Sequence, residues 1–266
     1  MEEYLVPFLL TLIAGLCTGV GSILAFLYKG DQKKFLSVGL GFSAGVMIYV
    51  SMIEIFQKAF ASLSAEYGEK QGMLWTMCGF FGGMFLIALI DLLVPKGKNP
   101  HELEELELDA KGHQEKSELF RTGIFTALAI AIHNFPEGLA TFVSAVHEPD
   151  LAIPIVVAIA IHNIPEGIAV SVPIFSATGN RKKALGYSFA SGLAEPIGAV
   201  IGYTLLLPYM NDQVYGLLFS SVAGIMVFIS LDELLPAAEK YGEHHLSIYG
   251  MFAGMLLMGI SLWMFL

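Results

Sequence analysis

Two copies of one six-residue motif carry most of the chemistry that this sequence can perform. Residues 133–138 read HNFPEG and residues 162–167 read HNIPEG. Residues three and four apart lie on one face of a helix, so the histidine, asparagine and glutamate of each copy point the same way. Imidazole, amide and carboxylate groups are all metal ligands. Each copy therefore predicts one side of a metal-binding site.

Prolines next to these acidic residues add main-chain oxygen atoms to the candidate ligands. Pro136 and Pro165 have no amide hydrogen, and each ring displaces the carbonyl four residues earlier in a helix. A third carboxylate, Glu195, precedes Pro196 in the segment EPIG. A displaced carbonyl needs a new partner wherever water is absent, and a cation can be that partner.

The chain that must position these groups has the composition of an integral membrane protein. Of its 266 residues, 55% are hydrophobic and only 14% are charged, with a mean hydropathy of +0.67. Apolar runs of about 20 residues, enough to cross ~30 Å of hydrocarbon as a helix, recur along its whole length. They are too long and too continuous for the alternating strands of a membrane barrel. We therefore expect a multi-pass protein of the cytoplasmic membrane.

We predict an all-α polytopic fold with eight transmembrane helices in a single domain, residues 1–266. Spans 1–3 occupy residues 5–94, a cytoplasmic loop follows at 95–119, spans 4 and 5 occupy 120–175, and spans 6–8 occupy 184–266. The individual spans are residues 5–28, 35–59, 72–94, 120–145, 152–175, 184–207, 214–236 and 246–266.

Both motifs and Glu195 then fall near the middle of spans 4, 5 and 6. An ionisable group at the bilayer centre costs at least about 2.5 kcal/mol on insertion scales, so such groups are rare without a functional partner. No lysine or arginine lies at that depth in the predicted spans. A divalent metal ion is the obvious counter-charge for these groups. After one ion has left and before the next one binds, protons would take its place.

The basic residues predict the orientation. Twelve of the 14 lysines and arginines fall on the side of the odd-numbered loops, and only Lys58 and Lys70 fall on the other side. Positively charged loops stay in the cytoplasm. We therefore expect both termini to be extracytoplasmic.

Spans 1–3 recur in the sequence as spans 6–8. The matching segments are GLCTGVG (15–21) with GLAEPIG (192–198), AGVMIYVSMIE (44–54) with AGIMVFISLDE (223–233), and GFFGGMFL (79–86) with GMFAGMLL (250–257). A shift of five spans is odd, so equivalent helices cross the membrane in opposite directions. Such inverted repeats are typical of transporters that open alternately to each side. The simpler alternative is that small residues recur because close helix packing favours them anywhere in a membrane.

These features resemble the ZIP (Zrt-, Irt-like) divalent metal transporters, in particular their bacterial zinc-uptake branch. The resemblance lies in the paired HNxPEG helices, the EPIG segment and the eight spans, and it covers nearly the whole chain. It implies a three-plus-two-plus-three bundle with an inward metal path between spans 4 and 5. It also implies a zinc position and a second, iron-accepting position. The zinc ligands it implies are Glu137, His162 and Glu166, those of the second position are Asn134, Glu137, Asn163, Glu166 and Glu195, and His133 is a further candidate.

The function we expect is therefore zinc uptake, with Fe²⁺ and also Mn²⁺ or Cd²⁺ as lesser substrates. We expect no resident cofactor, no enzymatic activity and no nucleic-acid partner; small-residue faces on spans 2, 3 and 8 permit a homodimer without requiring one. Two rivals are an intramembrane zinc hydrolase, although HNxPE is not the HExxH pattern of such enzymes, and a metal-gated receptor. Outside the motifs, Glu54 and Glu233 are either entrance and exit carboxylates or interfacial residues reaching toward headgroups.

Overall fold

The computed structural model describes residues 2–28, 30–93, 112–147, 149–241 and 244–264. Within these ranges the chain is almost entirely helical and has no β-strand, which confirms the all-α prediction. The α-helices are α1 (Glu2–Leu27), α2 (Gln32–Val50), α3 (Phe56–Tyr67), α4 (Glu69–Leu93), α5 (Gly112–His147), α6 (Pro149–Thr178), α7 (Arg181–Gly192), α8 (Ala194–Ile201), α9 (Asp212–Ile229), α10 (Leu235–Tyr241) and α11 (His244–Met264).

Seven helical segments of the described chain are long and apolar enough to cross a membrane. They correspond to every predicted span except span 4, which lies inside the 36-residue helix α5. Helix α5 is more polar because it carries HNFPEG and begins with the charged sequence GHQEKSE. It packs against α1, α6, α7, α8 and α9, so neighbouring helices surround it and little of it needs to face lipid. Eight spans stay a prediction.

Helix α5 also begins earlier than the predicted span, at Gly112 rather than residue 120. A search for apolar runs detects only the part of a helix that suits lipid, whereas the polar turns before residue 120 form a helix that hydrophobicity does not signal. The rest of the predicted cytoplasmic loop, up to residue 111, lies outside the described residues.

Helices α5 and α6 pack against each other, and each has a second partner on its flank. Helix α1 lies along α6, and α8 lies along α5. The closest backbone contacts of α1 with α6 and of α8 with α5 are equivalent. A Cβ atom on Gly21 of α1 would collide with the carbonyl of Ile164, and one on Gly198 of α8 would collide with the carbonyl of Phe135. Ile164 and Phe135 are the third residues of the two motifs, so the same backbone contact forms on both sides of the pair.

Spans 2 and 7 both contain a π-helical turn, and the two turns are equally placed. Ser51–Ile55 separates α2 from α3, and Ser230–Leu234 separates α9 from α10, which is an offset of 179 residues at both ends. Each turn holds a glutamate at its fourth position, Glu54 or Glu233. Such π-turns often mark functional sites in helices.

Glycines on spans 2, 3, 7 and 8 are used for packing inside the chain. Gly45 of α2 lies against the backbone of Met251 in α11, and Gly83 of α4 lies against the backbone of Ser221 in α9. The absence of a side chain lets the helix axes approach closely. The small-residue faces that the sequence offered for a dimer are thus largely covered within one copy.

Span 6 is not one helix. Helix α7 ends at Gly192, Leu193 forms a turn, and α8 begins at Ala194. Pro196 is the third residue of α8, within the first turn, where a missing amide hydrogen costs no intrahelical bond. The break gives α8 its own N-terminus, and Glu195 lies in this first turn.

Candidate metal centre

All seven candidate ligands are buried in the middle of the bundle. None of these residues is more than 2% exposed. Helix α5 supplies three of them, α6 supplies three and α8 supplies one. They are His133, Asn134, Glu137, His162, Asn163, Glu166 and Glu195.

The two motifs form crossed histidine–glutamate pairs. Nε2 of His162 lies 2.9 Å from Oε1 of Glu137, and Nε2 of His133 lies 3.2 Å from Oε1 of Glu166. Within each motif the histidine precedes the glutamate by four residues, about one helical turn. Because α5 and α6 are consecutive and pack against each other, the histidine of one motif faces the glutamate of the other. The spacing HxxxE on both helices is what makes both pairs form together.

The asparagines lie beside these pairs and connect them to α1, α7 and α8. The side-chain amide of Asn163 donates to the carbonyl of Ala14 at 3.0 Å and to Oε1 of Glu195. The amide of Asn134 donates to the carbonyl of Ser191 at 3.4 Å. Asn163 therefore links the third carboxylate to the α5–α6 pair, whereas Asn134 contacts only main chain.

The site is not symmetric, because span 1 has no acidic residue where span 6 has one. Gly138 lies against the backbone of Glu195, and Gly167 lies against that of Thr18, so Thr18 and Glu195 occupy corresponding places. Their offset is 177 residues, as in the sequence repeat. Of the two flanking helices α1 and α8, only α8 thus brings a carboxylate to the motif pair.

Sequence reasoning missed Ser43 on α2. Its hydroxyl lies 3.2 Å from the carbonyl of His162 and 3.4 Å from Oε1 of Glu166. The side chain is fully buried. A serine among the small residues of a membrane helix is common, and only its position one residue before the repeated segment AGVMIYVSMIE distinguishes it in the sequence.

Every one of the seven residues retains a buried side-chain nitrogen or oxygen atom without a hydrogen-bond partner. The ring nitrogens of both histidines are among them, because the His–Glu distances are short but the geometry is not that of a hydrogen bond. Buried polar atoms are normally paired, and an unpaired one costs about 1–3 kcal/mol. Such a concentration of unsatisfied donors and acceptors suits a site that exchanges its contacts for those of an ion.

The donors are arranged in pairs rather than in a closed coordination shell. In the part of the chain that the structure describes, no three His, Cys, Asp or Glu side chains form a group that could hold a metal ion. A bound ion would therefore need side-chain rearrangement around the pairs.

Comparison with known proteins identifies the family. The family described as ZIP Zinc transporter matches residues 95–262. The chain is 62% identical over 267 residues to a protein of Streptococcus mutans named Zinc transporter ZupT, and both chains are covered completely. Proteins with the same name from Clostridium perfringens (62% identical, 100% of this chain and 98% of that protein) and Oceanobacillus iheyensis (59%, 98% of each) also match. The resemblance seen in the sequence is confirmed, and the chain belongs to the ZIP zinc transporter family.

Proposed function

We propose that this chain imports zinc across the bacterial cell membrane, and that the ion binds transiently at the crossed His–Glu pairs of α5 and α6. Family membership and full-length relatives named as zinc transporters support the transport function over an enzymatic one. The observation that carries the site is the juxtaposition of His162 with Glu137 and of His133 with Glu166, both buried at the centre of the bundle.

The spacing of the donor atoms in each pair suits Zn²⁺. Zinc binds imidazole nitrogen at about 2.0–2.1 Å and carboxylate oxygen at about 2.0–2.2 Å, so two ligands of a tetrahedral ion lie about 3.3 Å apart. The observed N···O separations are 2.9 Å and 3.2 Å. Small rotations of the side chains would let one ion take the place between the two groups. Metal binding would then release protons, since zinc requires the unprotonated ring nitrogen.

Zinc at the first position would be held by Glu137, His162 and Glu166, with His133 as a further ligand. The α5 and α6 carboxylates approach it from opposite helices, and the Ser43 hydroxyl restrains Glu166. The unpaired atoms of both histidines and of these carboxylates would be satisfied by the ion. Binding would thereby remove part of the cost of burying them.

A second position would use Asn134, Glu137, Asn163, Glu166 and Glu195, which are mostly oxygen donors. Oxygen ligands accept Fe²⁺ and Mn²⁺ more readily than a thiolate- or imidazole-rich site does. We therefore propose Fe²⁺ and Mn²⁺ as lesser substrates that bind here, whereas Cd²⁺, a softer ion, would bind at the imidazole-containing first position. The unpaired Oδ1 atoms of both asparagines and Oε2 of Glu195 support an ion at this end.

Alternating access would follow from an inverted repeat of spans 1–3 and 6–8 around α5 and α6, with eight spans and both termini outside. Three observations support this arrangement. Helix α2 packs on α11 as α9 packs on α4. The π-helical turns of spans 2 and 7 share one offset, and Gly21 and Gly198 contact equivalent carbonyls of the two motifs. Rocking of such a repeat would expose the central pairs to one side at a time.

Zinc flux into liposomes tests the proposal. The purified chain is reconstituted with an internal zinc-sensitive dye, and influx is compared with empty liposomes and with a Glu137→Gln variant. Wild-type protein should give saturable influx that the variant loses. Binding of zinc without influx would instead favour a receptor, and cleavage of lipid or peptide without influx would favour a hydrolase.

A further inference from the structure

A cavity extends from the central pairs toward the π-helical turn of span 2. It is narrow, with a volume of about 30 Å³, which is room for a few water-sized occupants at most. Glu137 lines the end of the cavity at the central pairs, and Glu54 and Lys58 line the end at the π-turn. Thr141 and Ser144 are its other polar residues. Most of the remaining wall is apolar. It consists of Val50, Ile55, Ala140, Ile155, Ile159, Phe219, Val222 and Met226.

The exposure of these charged groups gives the cavity a direction. The side chains of Lys58 and Glu54 are 16% and 21% exposed, whereas that of Glu137 is 3% exposed. The cavity therefore runs from the partly exposed Glu54 side chain at the π-turn to the buried centre, and Nζ of Lys58 is itself buried in its wall. It lies on the side where α5 ends at His147 and α6 begins at Pro149. The basic-residue distribution predicts that this side is extracytoplasmic.

At the π-turn end of the cavity, the Glu54 carboxylate already forms an ion pair with a lysine. Nζ of Lys58 lies 3.0 Å from Oε1 of Glu54. The residues are four apart and lie on either side of the junction between the π-turn and α3. Charges on an otherwise apolar wall interact more strongly than on an open surface, because little solvent screens them.

From this geometry we infer that Lys58 is a tethered cation that competes with incoming metal for Glu54 and so sets the affinity of the cavity mouth. The inference rests on the proposed zinc import. An ion that enters the cavity must displace the ammonium group before Glu54 can bind it. Once displaced, the Lys58 ammonium group repels any second cation that approaches the cavity mouth. Lys58 is thus a specificity-determining residue of the entrance and not a ligand.

The placement of the π-turn makes this exchange feasible. A π-helical turn has one residue more than an α-turn, so it projects Glu54 differently from a side chain in a regular helix. Lys58 sits one turn later, and its long flexible stem lets the ammonium swing while the backbone stays in place. The ion pair holds Glu54 only as long as no stronger cation is present.

Initial rates of radioactive zinc uptake into intact cells test the inference, because only the outer face then meets the ion. Lys58→Met removes the charge and keeps the length of the side chain. It should lower the KM for zinc about fivefold, equivalent to ~1 kcal/mol. Lys58→Arg should keep the wild-type KM. Lys70→Met is the matched control, because Lys70 is exposed on the same predicted side, and it should change nothing.

The partner residue gives a second, opposite signal. Glu54→Gln removes the carboxylate that would bind the incoming ion and keeps the Lys58 charge, so it should raise the KM. Adding Lys58→Met to Glu54→Gln should lower the KM again, which a merely structural ion pair would not do. Lys58→Gln replaces Lys58→Met if the latter does not reach the membrane, since it retains a hydrogen-bond donor beside Glu54.

The results separate this inference from the function beneath it. If wild-type cells show no zinc uptake above cells without the protein, the proposed function is wrong. If wild-type uptake is normal but neutral substitutions at Lys58 leave the KM unchanged or raise it, the inference alone is overturned. Uptake is normalised to the amount of inserted protein in every case, so loss of folding is not counted as loss of affinity.

Discussion

Nε2 of His162 lies 2.9 Å from Oε1 of Glu137, and both groups are buried between two helices that carry the same motif. In the second pair, His133 with Glu166, the two helices exchange roles: α5 supplies the histidine and α6 supplies the glutamate. One repeated element of sequence therefore produces two nearly equivalent donor pairs. A transporter needs groups that hold an ion and release it, and paired donors that can close on each other provide a resting partner when the ion leaves.

The coupling between His162 and Glu137 can be measured with a double-mutant cycle. Glu137→Ala and His162→Ala should each reduce zinc uptake at a fixed sub-saturating concentration by about tenfold to a hundredfold. Losses of this size are usual when a group that supports a bound metal is removed. The double variant should be little worse than either single variant, because each removes the same pair. Zinc uptake by cells and zinc binding by the purified proteins provide the measurements.

The control for this cycle is Thr76→Val on α4, outside the site and the entry cavity. Its hydroxyl is buried and donates to the carbonyl of Gly72 at 2.8 Å. Uptake by this variant should remain near the wild-type level. Independent, multiplicative losses at positions 137 and 162 would show that the pair is not a functional unit.

Asn163 is expected to influence the choice of metal. Its amide contacts Glu195, so Asn163→Asp adds a carboxylate next to an existing one. An extra negative oxygen ligand favours harder ions, and the relative uptake of Fe²⁺ and Mn²⁺ should rise against Zn²⁺. The measurement is inhibition of radioactive zinc uptake by each competing metal.

Asn134→Asp is the internal comparison, because the Asn134 amide contacts a main-chain carbonyl and no carboxylate. It should change the competition profile less than Asn163→Asp does. Identical competition curves for wild-type protein and Asn163→Asp would argue against a ligand role at position 163.

That the two motifs face each other could be expected from the sequence, because it depends on local spacing. HNxPEG places three ligands on one helical face, and two copies in consecutive spans must face each other if the helices pack. The partners themselves, which histidine meets which glutamate, follow from the relative heights of α5 and α6 and were not evident in the sequence. Ser43 was missed for a similar reason, since it reaches Glu166 from a helix more than a hundred residues away in the chain.

Breaks and extensions of helices were harder to predict than their existence. Pro196 was recognised as a residue that frees a carbonyl, but not as the start of a separate helix after Leu193. The π-turn at Ser51–Ile55 contains no proline or glycine that would signal it. The turn at Ser230–Leu234 had one signal: Pro236 follows it and displaces the carbonyl of Asp232, four residues earlier. Hydrophobic periodicity reveals neither turn.

Proton activity should compete with zinc for the central histidines. Zinc binds only the unprotonated imidazole nitrogen, so metal binding displaces protons from the His–Glu pairs. Lowering the external pH from about 7.5 to about 5.5 raises proton activity a hundredfold and should raise the KM for zinc. Initial uptake rates over a range of zinc concentrations at each pH provide the test.

Cells that carry Glu137→Gln, which should have little uptake of its own, report the effect of pH on background uptake by the cells. Their residual uptake is subtracted from the wild-type rates at each pH. A maximal rate that falls with acid while the KM stays constant would indicate that protons act on another step of the transport cycle.

Two adjacent glycines on α4 allow a direct test of the close helix packing. A Cβ atom on Gly83 would collide with the backbone of Ser221 on α9, whereas one on Gly82 would have no atom within 4 Å. Gly83→Ala must therefore push α4 and α9 apart, and overpacking of this kind costs about 1–3 kcal/mol. Gly82→Ala points to open space and should be neutral or slightly stabilising, since alanine favours the helix by up to about 1 kcal/mol. Thermal unfolding of the two purified variants in detergent should give a lower melting temperature for Gly83→Ala only. Equal melting temperatures would mean that α4 and α9 pack less closely than this contact requires. Gly45→Ala would then test the equivalent contact of α2 with α11 in the same way.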